Sequence, residues 1–100
     1  MRIRIDPEAI VELSDGALWY DRKSFGLGDD FVAEVHEAIG RIADNPSQFG
    51  RYEGGGVVGK YQRALVKRFP YVIIFEAFSD EVVVHSISHG AQRPGYWENR

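Results

Sequence analysis

The chain has no cysteine, which excludes disulfide bonds, thiol nucleophiles and cysteine-ligated zinc and fits a reducing compartment. No run approaches the ~20 apolar residues that a membrane span needs. The opening stretch Met1-Arg2-Ile3-Arg4-Ile5-Asp6-Pro7 has no apolar core of the kind a secretory signal carries. The expected location is the cytoplasm, without membrane contact. A basic surplus is lacking too: 12 Lys+Arg stand against 15 Asp+Glu, a net charge of −3, whereas nucleic-acid binders usually carry a basic excess.

What is present reads as a folded domain. Hydrophobic residues make up 44% and aromatic residues 13%, which argues against disorder. One hundred residues leave room for one domain, 1–100, with a thin two-layer core and a shallow functional site.

Arg2 to Ile5 alternates charged and β-branched residues, the pattern of a short half-buried strand. Asp6-Pro7 predicts a helix N-cap followed by proline in the first turn. Ile10, Leu13, Ala17 and Tyr20 recur at helical spacing and predict a first helix over about residues 7 to 24, broken at Gly26-Leu27-Gly28. Asp29 and Asp30 place negative charge at the start of a second helix. Its stripe is Phe31, Val35, Ala38, Ile39 and Ile42, and Asn45-Pro46 ends it. Residues 47 to 59 follow neither period and predict a mobile loop. Three strands are then expected, at about 60 to 69, 70 to 78 and 81 to 88, with links short enough only for antiparallel neighbours. The predicted fold class is α+β, a β-α-α-β-β-β two-layer sandwich. A helical hairpin packs on one face of a small antiparallel sheet, and nothing is left to cover the other face.

Gly54-Gly55-Gly56-Val57-Val58-Gly59-Lys60 nearly spells a phosphate-binding loop, but Tyr61 stands where Ser or Thr must hold the metal, and the loop opens a strand rather than a helix. Nucleotide binding is not expected. Lys60, Arg63, Lys67 and Arg68 supply four positive charges within nine residues without an acid between them. Strand alternation puts Tyr61, Arg63 and Lys67 on one face and Ala64 and Val66 on the other, so the first set is expected on the uncovered face. The plain alternative is a charged edge strand that resists aggregation; the functional reading is a groove for phosphates or an acidic partner.

His85, Ile87 and His89 share a face by the same alternation, which makes the two histidines expected neighbours. With no cysteine and no third ligand at suitable spacing, a zinc site is not expected, and no other cofactor is called for. Histidine beside cationic residues and a tyrosine, here His89, Arg63, Arg93 and Tyr96, is however the inventory of metal-free RNA cleavage. His36 lies off the stripe of its helix and reads as solvated. Trp19-Tyr20 and Tyr96-Trp97 read as core and tail-docking aromatics.

Taken together, Trp19-Tyr20, Gly26 to Phe31, Ile42 to Pro46, Tyr61 to Tyr71 and His89-Gly90 through Pro94 resemble the RelE/ParE superfamily of bacterial type II toxins, often labelled plasmid stabilisation proteins, over nearly the whole chain. The resemblance implies the same sandwich and a cognate antitoxin that wraps it. It implies one of two targets: DNA gyrase for the ParE-like branch, or mRNA in the ribosome for the RelE-like branch. Arg63 matches the family's basic residue on the second strand and His89 the histidine that ends the last strand. Tyr96 falls where some nuclease members keep a functional tyrosine. Gln92 stands where the family often has arginine, with Arg93 one position later. The match at Gly26-Leu27-Gly28 and from Arg63 to Pro70 leans towards gyrase inhibition. A toxin fold that has lost toxicity and acts as an antitoxin-binding regulator is the third alternative.

The net charge conceals a dipolar distribution. Residues 1–50 hold 5 basic and 10 acidic side chains, net −5, and residues 51–100 hold 7 and 5, net +2.

Overall fold

Alternating residues Arg2–Ile5 form strand β1, and Asp6-Pro7 turns the chain into helix α1 (Pro7–Lys23). A turn through Gly26, whose φ of 87° is a left-handed conformation that costs glycine little, leads into helix α2 (Leu27–Asp44). The second helix thus takes in Leu27 and Gly28, which the sequence pattern assigns to the break. This computed structural model describes residues 1–52, 60–90 and 96–99. After a 3₁₀ turn at Pro46–Gln48 come strands β2 (Arg51–Tyr52), β3 (Tyr61–Leu65), β4 (Tyr71–Ala77) and β5 (Glu81–His89), and a second 3₁₀ turn spans Tyr96–Asn99. Part of the stretch expected to be a mobile loop is therefore ordered, and residues 53–59, with the near phosphate-binding loop, lie outside the described residues.

The five strands form one sheet in the order β1-β5-β4-β3-β2. The sheet is mixed rather than wholly antiparallel as the sequence suggests, because β1 runs parallel to β5, with Ile5 opposite Val84. The helical hairpin is the crossover that such an arrangement requires. It carries the chain over the sheet, and β3, β4 and β5 then return antiparallel towards β1.

The main core lies between the hairpin and one face of the sheet. Phe31, Val35, Ala38 and Ile42 from α2 meet Ile73, Phe75, Val84 and Ile87, all fully buried. On α1 the inward stripe is Ala9, Leu13, Gly16 and Tyr20. Ile10, expected inside, is 48% exposed. Small residues at 9 and 16 let the helix sit close to the sheet, and a Cβ on Gly16 would come within 2.8 Å of the Phe31 ring.

The opposite sheet face is not bare. Trp97 in the C-terminal 3₁₀ turn packs on Tyr61 and Ile74, and all three are buried. The uninterrupted run Val72-Ile73-Ile74-Phe75 is what a strand covered on both faces requires.

The hairpin is joined most tightly where the helices meet. The Gly28 amide donates to Asp21 Oδ1 at 2.7 Å, supplying a carboxylate to the amide-rich start of α2. A Cβ at Gly28 would lie 2.3 Å from the Ala17 carbonyl oxygen. Gly28→Ala is expected to destabilise the protein by about 1–3 kcal/mol, the usual cost of overpacking a close contact, as read by urea unfolding; an unchanged midpoint would refute the close crossing.

Candidate functional site

The site follows from how β5 ends. Between Ile74 and Phe75 of β4 the register slips on the β5 side: Ile74 faces Ser86 and Phe75 faces Val84, which leaves His85 as the extra residue of a β-bulge. The bulge breaks the alternation of two. Ile87 packs in the helix-side core and His89 stacks edge-on with Tyr71 at 5.7 Å, whereas His85 meets the Tyr61 ring at 5.4 Å on the opposite face. The two histidines are thus not neighbours. His85 Nε2 lies 2.7 Å from Glu76 Oε1 and its Nδ1 lies 3.4 Å from Asp6 Oδ2. Asp6 stands at the N-cap of α1, but its carboxylate makes no capping bond and faces the histidine instead.

β1 stops at Ile5, so beyond Val84 the outer edge of β5 has no strand beside it among the described residues. A carboxylate from α1 reaches that edge: Glu12 Oε1 accepts the Ile87 amide at 3.0 Å, and its Oε2 accepts the Tyr96 hydroxyl. Ser86 Oγ lies 2.9 Å from the same hydroxyl and 3.2 Å from Ser88 Oγ. Tyr96 is thereby tied to a helix and a strand at once. Glu12, Ser86 and Ser88 escape the sequence reading. The available signal is that Glu12 falls between Ala9 and Gly16 on the inward side of α1, where an unpaired acid is disfavoured.

Docking of the C-terminal turn creates a cleft of about 120 Å³ on the sheet face away from the helices, with Arg63, Ser88, Tyr96 and Trp97 around a floor of Val72 and Ile74, and with His89, at the end of β5, bordering both this cleft and the helix side. Three candidate residues, Arg63, His89 and Tyr96, are brought together here; the fourth, Arg93, lies outside the described residues. Arg63 is exposed, so its guanidinium offers the cleft a fixed positive charge with five donors.

The other cations separate from it. β3 ends at Leu65, and the turn closed by the Val66 amide on the Tyr71 carbonyl at 3.0 Å carries Arg68 at a φ of 72°. Lys67 and Arg68 belong to this turn rather than to the strand and swing towards α2. Lys67 Nζ lies 3.8 Å from Glu37, and Arg68 lies 3.5 Å from Asp30 and 3.9 Å from Glu34. Lys60 stands over the Tyr61 ring, 5.2 Å from its centroid, in a separate cleft beside Asp6, Glu8 and Glu98. Tyr61 itself faces away from the helices as its position in β3 predicts, but it is buried there and donates to Glu98 Oε2 at 3.0 Å.

A second hollow of about 670 Å³ runs along α1 between Trp19, Tyr20, Pro70, Tyr71 and Ile87, rimmed by Glu12, Asp15 and His89. Burial pushes the Tyr71 hydroxyl above its ordinary range, with smaller contributions from Tyr20, Glu12 and Asp15. Tyr20 and Tyr61 are raised chiefly by burial as well.

No family model matches this sequence, and no curated protein matches it. Among solved structures, the chain is similar to one described as "Chromosomal ParDE TA system from P. aeruginosa", with a TM-score of 0.75 over 89% of this chain and 95% of that one, at 14% identity. The two helices on a five-stranded mixed sheet are therefore a ParE-like fold.

Tyr96→Phe removes the hydroxyl that joins Glu12 to the tail, so it is expected to cost about 1–3 kcal/mol, the range for stranding a buried polar partner. Urea unfolding reads the loss, and near-ultraviolet circular dichroism reads the release of Trp97; a variant unchanged in both would show that the contact carries nothing. Raised tyrosine pKa values make the folded state hold protons that the unfolded state has already released. Stability is therefore expected to be intact below pH ~10 and to fall as pH rises through the raised values. Urea midpoints across that range check this, and Tyr71→Phe should flatten the decline.

Proposed function

We propose that this chain is the toxin of a type II toxin–antitoxin pair, neutralised by a cognate antitoxin and acting by binding its target, with DNA gyrase inhibition as the specific reading. The observation that carries the toxin reading is the likeness in fold to the ParDE chain over most of both proteins. Two features of the site support binding rather than cleavage. The Tyr96 hydroxyl is already held by Glu12 and Ser86, which makes it a strut for the tail. Lys67 and Arg68 are engaged by α2, which leaves Arg63 as the cation of the cleft among the described residues, a sparse set for stabilising a phosphorane.

A second reading rests on one specific observation, the convergence of Arg63, His89 and Tyr96 on a single cleft. In a ribosome-dependent endoribonuclease Arg63 would hold the phosphate and His89 would transfer the proton.

Expression without the product of the adjacent gene is expected to arrest growth, and co-expression to restore it through a complex visible by size-exclusion chromatography. The purified chain should inhibit DNA supercoiling by gyrase, and Arg63→Ala should weaken that inhibition while remaining folded. Undisturbed supercoiling together with new mRNA ends that vanish in Arg63→Ala and His89→Ala would replace the binding reading with the nuclease. Undisturbed growth alongside complex formation would make the chain an antitoxin-binding regulator.

A further inference from the structure

Helix α1 has two apolar faces, and the fold uses one. Ala9, Leu13, Gly16 and Tyr20 turn into the core. At 100° per residue, Val11 and Leu18 fall on the opposite side. They are 57% and 56% exposed, and Phe25 in the turn just past the helix is 101% exposed. Of the eight large apolar side chains exposed among the described residues, five lie between Ile10 and Phe25. A helix that is apolar on both sides is normally covered on both sides.

The order of the outward residues indicates what covers this one. Val11 and Leu18 are seven apart, one repeat of a helix-pairing seam, and Phe25 extends the apolar surface from the turn beyond Lys23. Ser14 and Arg22 stand on the same side, and the small Ser14 permits close approach. Charge outside the inward stripe is also polarised: Glu8 and Asp15 stand in the first half and Arg22 and Lys23 in the last turn, where the carboxylate of Asp21 is taken by the Gly28 amide. Asp15 and Arg22 are exposed and make no ion pair among the described residues. About a twofold axis at Leu18, an antiparallel second copy places Leu18 on Leu18, Val11 against the turn that carries Phe25, and Asp15 beside Arg22. Such a pattern is complementary to itself.

We infer that the outer face of α1 is a self-association surface through which two copies pair antiparallel about Leu18. The seam is one 17-residue helix, about 25 Å long, so the area covered is at the low end for specific interfaces and the dimer is concentration-dependent. The inference is independent of the toxin reading, since it rests on a face that takes no part in the cleft at Arg63.

The absence of native cysteine makes the test direct. In the full chain, Leu18→Cys introduces a single thiol on the proposed axis. Under mild oxidation it should form a covalent dimer of twice the 11.3 kDa chain mass, well ahead of His36→Cys on the exposed face of α2. Sedimentation equilibrium of the unmodified chain should show mass rising from monomer towards dimer with concentration. Leu18→Glu and Asp15→Arg should both hold it at monomer, and Asp15→Arg combined with Arg22→Asp should restore pairing. Circular dichroism confirms that each variant is folded. Equal crosslinking of the two cysteine variants, a monomer at every concentration, or a dimer indifferent to Leu18→Glu would each overturn the inference. A chain that stays monomeric alone and whose complex with the product of the adjacent gene is lost in Leu18→Glu would overturn the pairing and assign the face to that partner instead.

Discussion

The amide of Ile87 must find an acceptor, and much of this structure is arranged around that need. β1 is four residues long and leaves the last part of β5 without a strand on its outer side among the described residues. A buried amide without a partner costs on the order of 1–3 kcal/mol, and Glu12 meets the need from α1. Because a carboxylate has two oxygens, the second is available to hold Tyr96, and through it the C-terminal turn that covers Ile74 and shapes the cleft at Arg63. The helical layer and the far sheet face are thus connected through one side chain at the sheet edge.

The β-bulge at His85 is the second determinant. By inserting one residue it sends Ser86 and His85 to the face away from the helices while Ile87 stays in the core. Ser86, the one buried polar residue among those described, is thereby placed where Tyr96 and Ser88 can satisfy it. His85 gains two carboxylates at the other end of the same face, so the two histidines serve different neighbourhoods.

Charge is distributed by topology. Exposed pairs such as Lys67 with Glu37 and Arg68 with Asp30 contribute no more than about 1 kcal/mol each. They nevertheless determine where the field of the chain is not. The acidity of the hairpin neutralises the β3–β4 turn and leaves Arg63 to face the cleft. The hairpin also keeps one apolar side of α1 outside the core.

The sequence alone determined the class of fold, since the stripe from Phe31 to Ile42 has one solution as a helix and Pro46, Pro70 and Ser79-Asp80 punctuate the rest. It also determined the outward placement of Arg63 opposite Ala64, because strand alternation is local. Tertiary structure decided the parallel pairing of β1 with β5, the ends of β3, and which cations meet which acids, because these depend on contacts between residues tens of positions apart. The bulge was hidden for a related reason: one extra residue inverts every later side chain of a strand, and nothing in His85-Ser86-Ile87-Ser88-His89 says where the slip occurs. Glu12 and Tyr96, separated by 84 positions, meet only because the edge of a short strand has to be closed.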